Sequence, residues 1–314
     1  MSKSVLITGA GSGFGLACAL DLAERGWRVF ASFPHAGYHD AVIQAAQTRK
    51  VRLEPLLLDV TDPAAIGAAV AQVIDAHGRI DALVNSAGIG LRGFFEDLAD
   101  DEIRRMFDVN VFGTMNVVRA VLPHMRAARS GRVVLITSAG GRIASMTISA
   151  YCAGKFALEG FGESLALEVA PFGIQVSLVE PGLVLTPHFT IDRGRARNAS
   201  RPESPYYRWF LQHEAMVDAI LQQRRITPIH VAQAVARALH DRRPRLRYVV
   251  GWRVQLLLAL RRLLPGELFE RIYSRQVIKR VTAPTMPADG LADLRLPENY
   301  LDRPQAEELR GLPQ

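Results

Sequence analysis

The chain has 314 residues, 49% hydrophobic and 22% charged, a balance that excludes a disordered or fibrous protein and suits one large α/β domain with an appendage. No apolar run reaches the roughly 18 residues that span a bilayer, and two cysteines, Cys18 and Cys152, are too few for a disulfide framework, so a reducing, cytoplasmic setting is expected. The net charge of +7 would suit nucleic acid or an anionic membrane, but the arginines are scattered, concentrate after about residue 190 and accompany no nucleic-acid motif, so no nucleic-acid partner is expected.

The chain opens directly on a short buried strand, Val5-Leu6-Ile7, with no signal-peptide apolar region or cleavage site. That strand feeds Thr8-Gly9-Ala10-Gly11-Ser12-Gly13-Phe14-Gly15 and then a helical pattern from Leu16 to Arg25. Strand, glycine turn, helix is the setting of a pyrophosphate site: glycines let the backbone approach the ligand, and the helix start supplies N–H groups and a positive dipole end. A tight turn with glycines for packing alone is the competing reading. The second strand, Trp27 to Phe33, lacks the acidic residue that holds a ribose 2′-hydroxyl in NAD-binding folds; the chain reads Ser32-Phe33-Pro34-His35. Without that carboxylate a 2′-phosphate meets no repulsion, and Ser32 and His35 are candidates to bind one. The third strand, Val51 to Leu58, ends at Asp59, either an adenine contact or a cap, with Thr61 and Asp62 better placed to cap the next helix.

A fourth strand, Ile80 to Val84, runs into Asn85-Ser86-Ala87-Gly88, small residues that let a ligand lie near the backbone; the helix after it carries Val109, Asn110 and Val118. The fifth strand, Arg132 to Thr137, ends at Ser138; a long helix then holds Tyr151 and Lys155, and Ile174 to Val179 is a sixth strand leading to Glu180-Pro181-Gly182. Tyr151 and Lys155 are four apart, so a helix sets them on one face. A lysine ammonium beside a phenol favours the phenolate, so the Tyr151 pKa is expected to fall from near 10, as a general acid or base requires. Alternation of strand and helix argues for a parallel sheet with helices on both faces.

These stretches resemble the short-chain dehydrogenase/reductase superfamily over roughly residues 4 to 186, more weakly to about 264. Thr8-Gly9 with Gly13 and Gly15 matches its cofactor turn, Asn85-Ser86-Ala87-Gly88 its Asn-Asn-Ala-Gly motif with one change, and Asn110, Ser138, Tyr151 and Lys155 its catalytic tetrad. Pro181-Gly182 and Thr186 match the segment at the nicotinamide carboxamide. Within the family, Tyr151-Cys152-Ala153-Gly154-Lys155-Phe156-Ala157-Leu158-Glu159-Gly160 looks like the estradiol 17-beta-dehydrogenase and retinol dehydrogenase branch.

The resemblance implies a Rossmann-type, doubly wound sheet of about seven strands over residues 1–251, with a helical lid at 187–227 and an extension at 252–314. It implies an NAD(P)-dependent oxidoreductase interconverting a secondary alcohol and a ketone, assembled as a homodimer or homotetramer. Tyr151 would move the proton, Lys155 lower its pKa and hold the nicotinamide ribose, Ser138 bond the substrate oxygen, and Asn110 support a water leading to solvent. Cofactor contacts are expected at Gly9, Gly11, Ser12, Gly13, Phe14 and Gly15, at Ser32, Phe33, Asp59 and Val60, at Asn85, Ala87 and Gly88, at Tyr151 and Lys155, and at Pro181, Gly182, Val184 and Thr186. The expected cofactor is NAD(P)(H) with a slight lean to NADP(H).

The expected substrate is bulky and apolar, a steroid, retinoid or long-chain alcohol, met by Ser138, Ile143, Met146, Tyr151 and Leu183, with His213 either a substrate contact or a solvent-facing helix residue. The insertion after Thr186 carries Arg193, Arg195, Arg197 and Arg201, then Tyr206, Tyr207, Trp209 and Phe210, as a lid would. From Trp252 a leucine-rich, arginine-flanked stretch either covers the substrate entrance, makes a subunit contact, touches a membrane or packs as an ordinary helix; Pro284, Pro287, Pro297 and Pro304 imply irregular structure beyond it. The alternative function is a non-catalytic dinucleotide sensor or scaffold of the same fold.

Overall fold

In the computed structural model, residues 2–184, 186, 194–222 and 226–282 are described. Seven parallel strands form one sheet: β1 (Ser4–Thr8), β2 (Arg28–Phe33), β3 (Leu53–Leu57), β4 (Ala82–Asn85), β5 (Gly131–Ile136), β6 (Ile174–Pro181) and β7 (Arg247–Val250). Their order is β3-β2-β1-β4-β5-β6-β7, so the winding reverses between β1 and β4. That reversal opens a crevice at the carboxyl ends of these two strands, where ligands of such sheets bind.

The strands are apolar without alternation because both faces are covered. On β1, Val5 and Ile7 face one core with Cys18 and Leu22 of α1 (Gly13–Glu24) and Val231 and Val235 of a later helix; Leu6 faces the other, with Ile66 and Val70 of α3 (Pro63–His77). Period-two geometry divides one run of valine, leucine and isoleucine between two layers. α2 (His39–Thr48) follows β2; α4 (Asp100–Phe107) and α5 (Thr114–Ala127) follow β4, and α6 (Ser149–Val169) follows β5.

Element boundaries differ from the sequence reading by a few residues. α1 begins at Gly13, inside the glycine turn, since Ser12 is extended (φ −161°) and the glycines let the chain coil at once. β6 runs on through Glu180 and Pro181, paired with Val249 and Val250 of β7.

Residues 194–206 lead into α7 (Tyr207–Gln222), followed by α8 (Pro228–His240), with Pro228 at its first position. α7 is anchored: Phe210 is fully buried in a third cluster with Leu91, Leu98, Met106 and Ala150. After β7 come α9 (Trp252–Leu263) and α10 (Gly266–Thr282). Arg193 and the four prolines of the expected irregular tail lie outside the described residues.

Candidate active site

The glycine turn is shaped by close approach. Gly9 has φ +65°, and a Cβ there would lie 2.7 Å from the Ala87 Cα; a Cβ on Gly15 would lie 2.1 Å from the Gly9 carbonyl oxygen. Gly13 has φ +53° and open space where a side chain would stand. Thr8 ties this turn to the end of β4: its Oγ1 donates to Asn85 Oδ1 at 3.0 Å and accepts from the Ser86 and Ala87 N–H groups, each at 3.1 Å. The departure from the family motif at Ser86 leaves this contact intact, because the backbone makes it. No side chain caps α1, so its first-turn N–H groups remain for a ligand. An extended turn, free amides and a glycine floor fit a dinucleotide pyrophosphate. Phe14 is half-buried against the core of α1 and α8.

The adenosine end differs from the sequence reading. Ser32 does not face the crevice: it is fully buried and its hydroxyl donates to the Ile7 carbonyl at 3.0 Å, because its position on β2 points it into the sheet. Phe33 is buried as well. The exposed group there is His35, whose ring lies 4.5 Å from that of Tyr38. Tyr38, which sequence reasoning missed, covers Gly11, where a Cβ would stand 2.6 Å from its ring. Asp59 Oδ1 accepts from Thr61 N–H and Oγ1 at 2.9 and 2.8 Å, and Asp62 caps α3. Val60 is buried against Gly113.

Three elements carry the four expected catalytic residues: the turn after α4, the loop after β5, and α6. Asn110 sits in a wide π-type turn, Asp108–Gly113, joining α4 to α5, a distortion frequent at functional sites. Its side chain clamps the segment after β4, accepting from Ile89 N–H at 2.7 Å and donating to the Ile89 carbonyl at 2.8 Å, beside Gly88. Ser138 follows β5 and its Oγ accepts from Gly140 N–H at 3.0 Å. A methyl on Gly140 would lie 3.4 Å from Ser138 Oγ and 3.7 Å from Tyr151 Cε1, so the loop and α6 meet over this glycine. One turn along α6, Lys155 is 6% exposed; its Nζ donates to the Ile136 carbonyl at 3.1 Å and lies 5.6 Å from the Tyr151 ring centre.

The electrostatics correct the expected fall in the Tyr151 pKa. Burial pushes this phenol up to about 12, against the opposing pull of the Ser138 hydrogen bond and the Arg92 guanidinium. The same desolvation lowers Lys155 to about 8, with Glu159 pulling it back up. Burial disfavours the charged form of each group, and at this separation it outweighs their mutual effect.

Of the residues expected to meet the substrate, Ile143 is buried and Met146 and Leu183 are half-buried; of those expected at the nicotinamide, Pro181, Val184 and Thr186 are buried. Gly182 N–H donates to the Val250 carbonyl at 3.3 Å, and Val254 of α9 sits where a Gly182 side chain would be. His213 is not solvent-facing: it is 4% exposed, and its Nδ1 lies 3.0 Å from Thr147 Oγ1. Burial, then Arg92, lowers its pKa to about 4, so it is neutral. Beside it, Glu214 holds two arginines, Arg92 Nη2 at 2.5 Å and Arg195 Nε at 3.0 Å. Neither Arg92 nor Glu214 carries a spacing signal that marks it, and sequence reasoning missed both. Tyr273 of α10 reaches the same loop: burial raises its pKa and a hydrogen bond with Ser145 opposes the rise. Among the described residues no group of three or more His, Cys, Asp or Glu side chains is placed to hold a metal, and no helix is long and apolar enough to cross a membrane.

Comparison with known proteins gives the same direction. The family model for short chain dehydrogenase matches residues 3–195. The chain is 36% identical to a 3-ketodihydrosphingosine reductase of Bacteroides thetaiotaomicron over 255 residues, covering 81% of this chain and 90% of that protein. It is 36% identical to human 17-beta-hydroxysteroid dehydrogenase type 1 over 264 residues, 82% of this chain and 80% of the other. A solved short-chain dehydrogenase from Streptomyces avermitilis superposes with a TM-score of 0.71 at 34% identity, covering 91% of this chain and all of that one. With a family model spanning more than half its length and such relatives along most of it, the chain belongs to the short-chain dehydrogenase/reductase family, oxidoreductases that act on CH–OH groups with NAD or NADP.

Proposed function

We propose that the protein interconverts a secondary alcohol and a ketone on a bulky apolar molecule, steroid-like, retinoid-like or long-chain, with Tyr151 as general acid and base. The observation that carries this reading is the convergence of the Ser138 hydroxyl and the Tyr151 ring on Gly140, 3.4 and 3.7 Å from where its Cβ would stand, just past the carboxyl end of β5. Bound NAD(P)(H) supplies or accepts the hydride. Ser138 orients the substrate oxygen, and Tyr151, neutral across the physiological range, is in the state that donates a proton to a developing alkoxide. Lys155 anchors the nicotinamide ribose beside it, and Asn110 fixes the segment after β4 that borders the cofactor. Ile143, Met146 and Leu183 supply apolar walls, and the names of the relatives, a sphingoid-base reductase and a steroid dehydrogenase, favour lipid-like substrates.

The lean to NADP(H) is supported by the absence of a carboxylate at the end of β2, by exposed His35, and by Ser12, whose side chain is not spent on capping α1. We place the protein in the cytoplasm as a homodimer or homotetramer, a reading consistent with its free, buried Cys18 and Cys152. Exposed Trp252, Leu256, Leu260 and Leu263 recur along α9 beside Arg253, Arg261 and Arg262, the pattern of a helix that rests on an anionic surface. Liposome co-sedimentation of the full chain with and without residues 252–314 tests that contact, and equal binding by the two refutes it.

The central test is Tyr151→Phe: turnover should fall at least 10²-fold while nicotinamide fluorescence reports unchanged cofactor binding. Retention of more than about a tenth of the rate means Tyr151 is not the acid. A turnover screen with both cofactors against steroids, retinoids and long-chain alcohols tests the substrate class; preference for small polar substrates contradicts it, and binding without any turnover favours the non-catalytic sensor.

A further inference from the structure

Behind Lys155 lies a cluster of buried charge that the reaction does not use. Glu159 follows Lys155 by one helical turn on the same face of α6 and is 5% exposed. Glu180, near the end of β6, is fully buried. One guanidinium nitrogen joins the two: Arg247 Nε, on β7, is 3.0 Å from Glu159 Oε2 and 3.0 Å from Glu180 Oε1. Arg142, from the loop after β5, contacts Glu180 Oε1 at 3.2 Å, and Glu163, one further turn along α6, takes Nη2 of Arg247. The remaining oxygen of each buried carboxylate, Glu159 Oε1 and Glu180 Oε2, has no hydrogen-bond partner. The loop is pressed close by Gly141, where a Cβ would stand 2.8 Å from the Lys155 carbonyl oxygen and 3.0 Å from Glu159 Cγ.

Two ionised carboxylates around one shared nitrogen, each with a bare buried oxygen, are disfavoured by like charge and by desolvation. A single proton relieves both costs, turning one acceptor into a donor and removing one charge. We propose that Glu159 and Glu180 share one proton, and that Glu159 is a positioning residue that holds Lys155 as its ammonium. The second half rests on the reading of Lys155 given above. The direction of the electrostatics agrees: burial and the Glu159 charge raise Glu180 to about 7 against the opposing pull of Arg142 and Arg247, and Glu159 raises Lys155 against burial. The groups facing the pair are Lys155 and Glu163 from α6, Arg142 from the β5–α6 loop and Arg247 from β7. When the pair releases its proton on the alkaline side, the added negative charge lies one turn from Lys155 and retains the ammonium there.

Infrared titration of the full chain, without cofactor or substrate, tests the proton. The wild type should show a protonated carboxyl band that disappears as pH rises past about 7. Glu180→Gln should lack it, because Glu159 then has Arg247 without a rival. Arg142→Gln, at a partly exposed side chain, should keep the band to higher pH. No band in the wild type, or no change in either variant, overturns proton sharing. The pH profile of ketone reduction tests the link to Lys155: Glu159→Gln should move the alkaline limb down by about one pH unit, Glu180→Gln should leave it in place, and Arg142→Gln should lower it while the band persists to higher pH. A limb that stays while the band moves, or that stays in a folded Glu159→Gln protein, overturns the positioning role. Failure of the Tyr151→Phe test would leave the infrared result standing.

Discussion

Replacing Lys155 with methionine should yield an inactive protein that is more stable than the wild type at neutral pH. Burial lowers the Lys155 pKa from 10.5 to about 8, so keeping the ammonium at pH 7 costs about 3 kcal/mol at 1.36 kcal/mol per pH unit. Methionine of similar length fills the space and removes that cost. It also takes the donor from the Ile136 carbonyl, a loss of about 1 kcal/mol, while Glu159 keeps Arg247 at 3.0 Å. The expected net gain is about 2 kcal/mol. Its pH dependence identifies the cause. Below pH 8 the lysine is protonated in folded and unfolded chains alike, and the cost is felt in full. Between pH 8 and 10.5 the unfolded chain binds the extra proton, so wild-type stability rises across that window and the advantage of the variant vanishes. Urea unfolding followed by circular dichroism at pH 7 and pH 10 measures both points. Equal or lower stability of the variant at pH 7, or a gain that does not shrink by pH 10, refutes the reasoning.

Gly15→Ala drives a methyl to 2.1 Å from the Gly9 carbonyl, so cofactor affinity by nicotinamide fluorescence should fall more than about tenfold, a loss above 1.4 kcal/mol. Ser32→Ala should leave the ratio of kcat/KM for NADP(H) and NAD(H) unchanged, since the hydroxyl faces Ile7, and should cost about 1 kcal/mol in stability by chemical denaturation; a changed ratio would return Ser32 to the ligand crevice. Phe210→Ala, in the cluster that seats α7, should lower stability by about 3–5 kcal/mol and raise KM for an apolar substrate, read by thermal unfolding and steady-state kinetics; an unchanged KM would separate α7 from the substrate pocket.

The dinucleotide half of the molecule was legible because its signals are local. Val5-Leu6-Ile7 followed by Gly9, Gly13 and Gly15 encodes strand, turn and helix within a dozen residues, and Tyr151 and Lys155 meet through helical spacing alone. Ser138 and Asn110 were legible as members of an ordered set of motifs, and the π-type turn that aims Asn110 was not, because the sequence there reads as one continuous helix.

What the amino-acid sequence determined by itself was the alternation of elements, and with it a parallel sheet covered by helices on both faces; the strand order that reverses between β1 and β4 belongs to the tertiary structure. Tertiary structure alone decided which way Ser32 points, that His213 is buried, and that Arg92, Glu214, Tyr38 and Tyr273 stand near the site. It also reversed the expected direction of the Tyr151 pKa, since proximity of a cation can be read from spacing but exclusion of water cannot. The physical reason is range. Hydrogen bonding along a helix and the close approach of a glycine turn act between neighbours in sequence, whereas desolvation and ion pairing depend on residues the chain brings back from far away, as Arg247 of β7 is brought to Glu159 of α6.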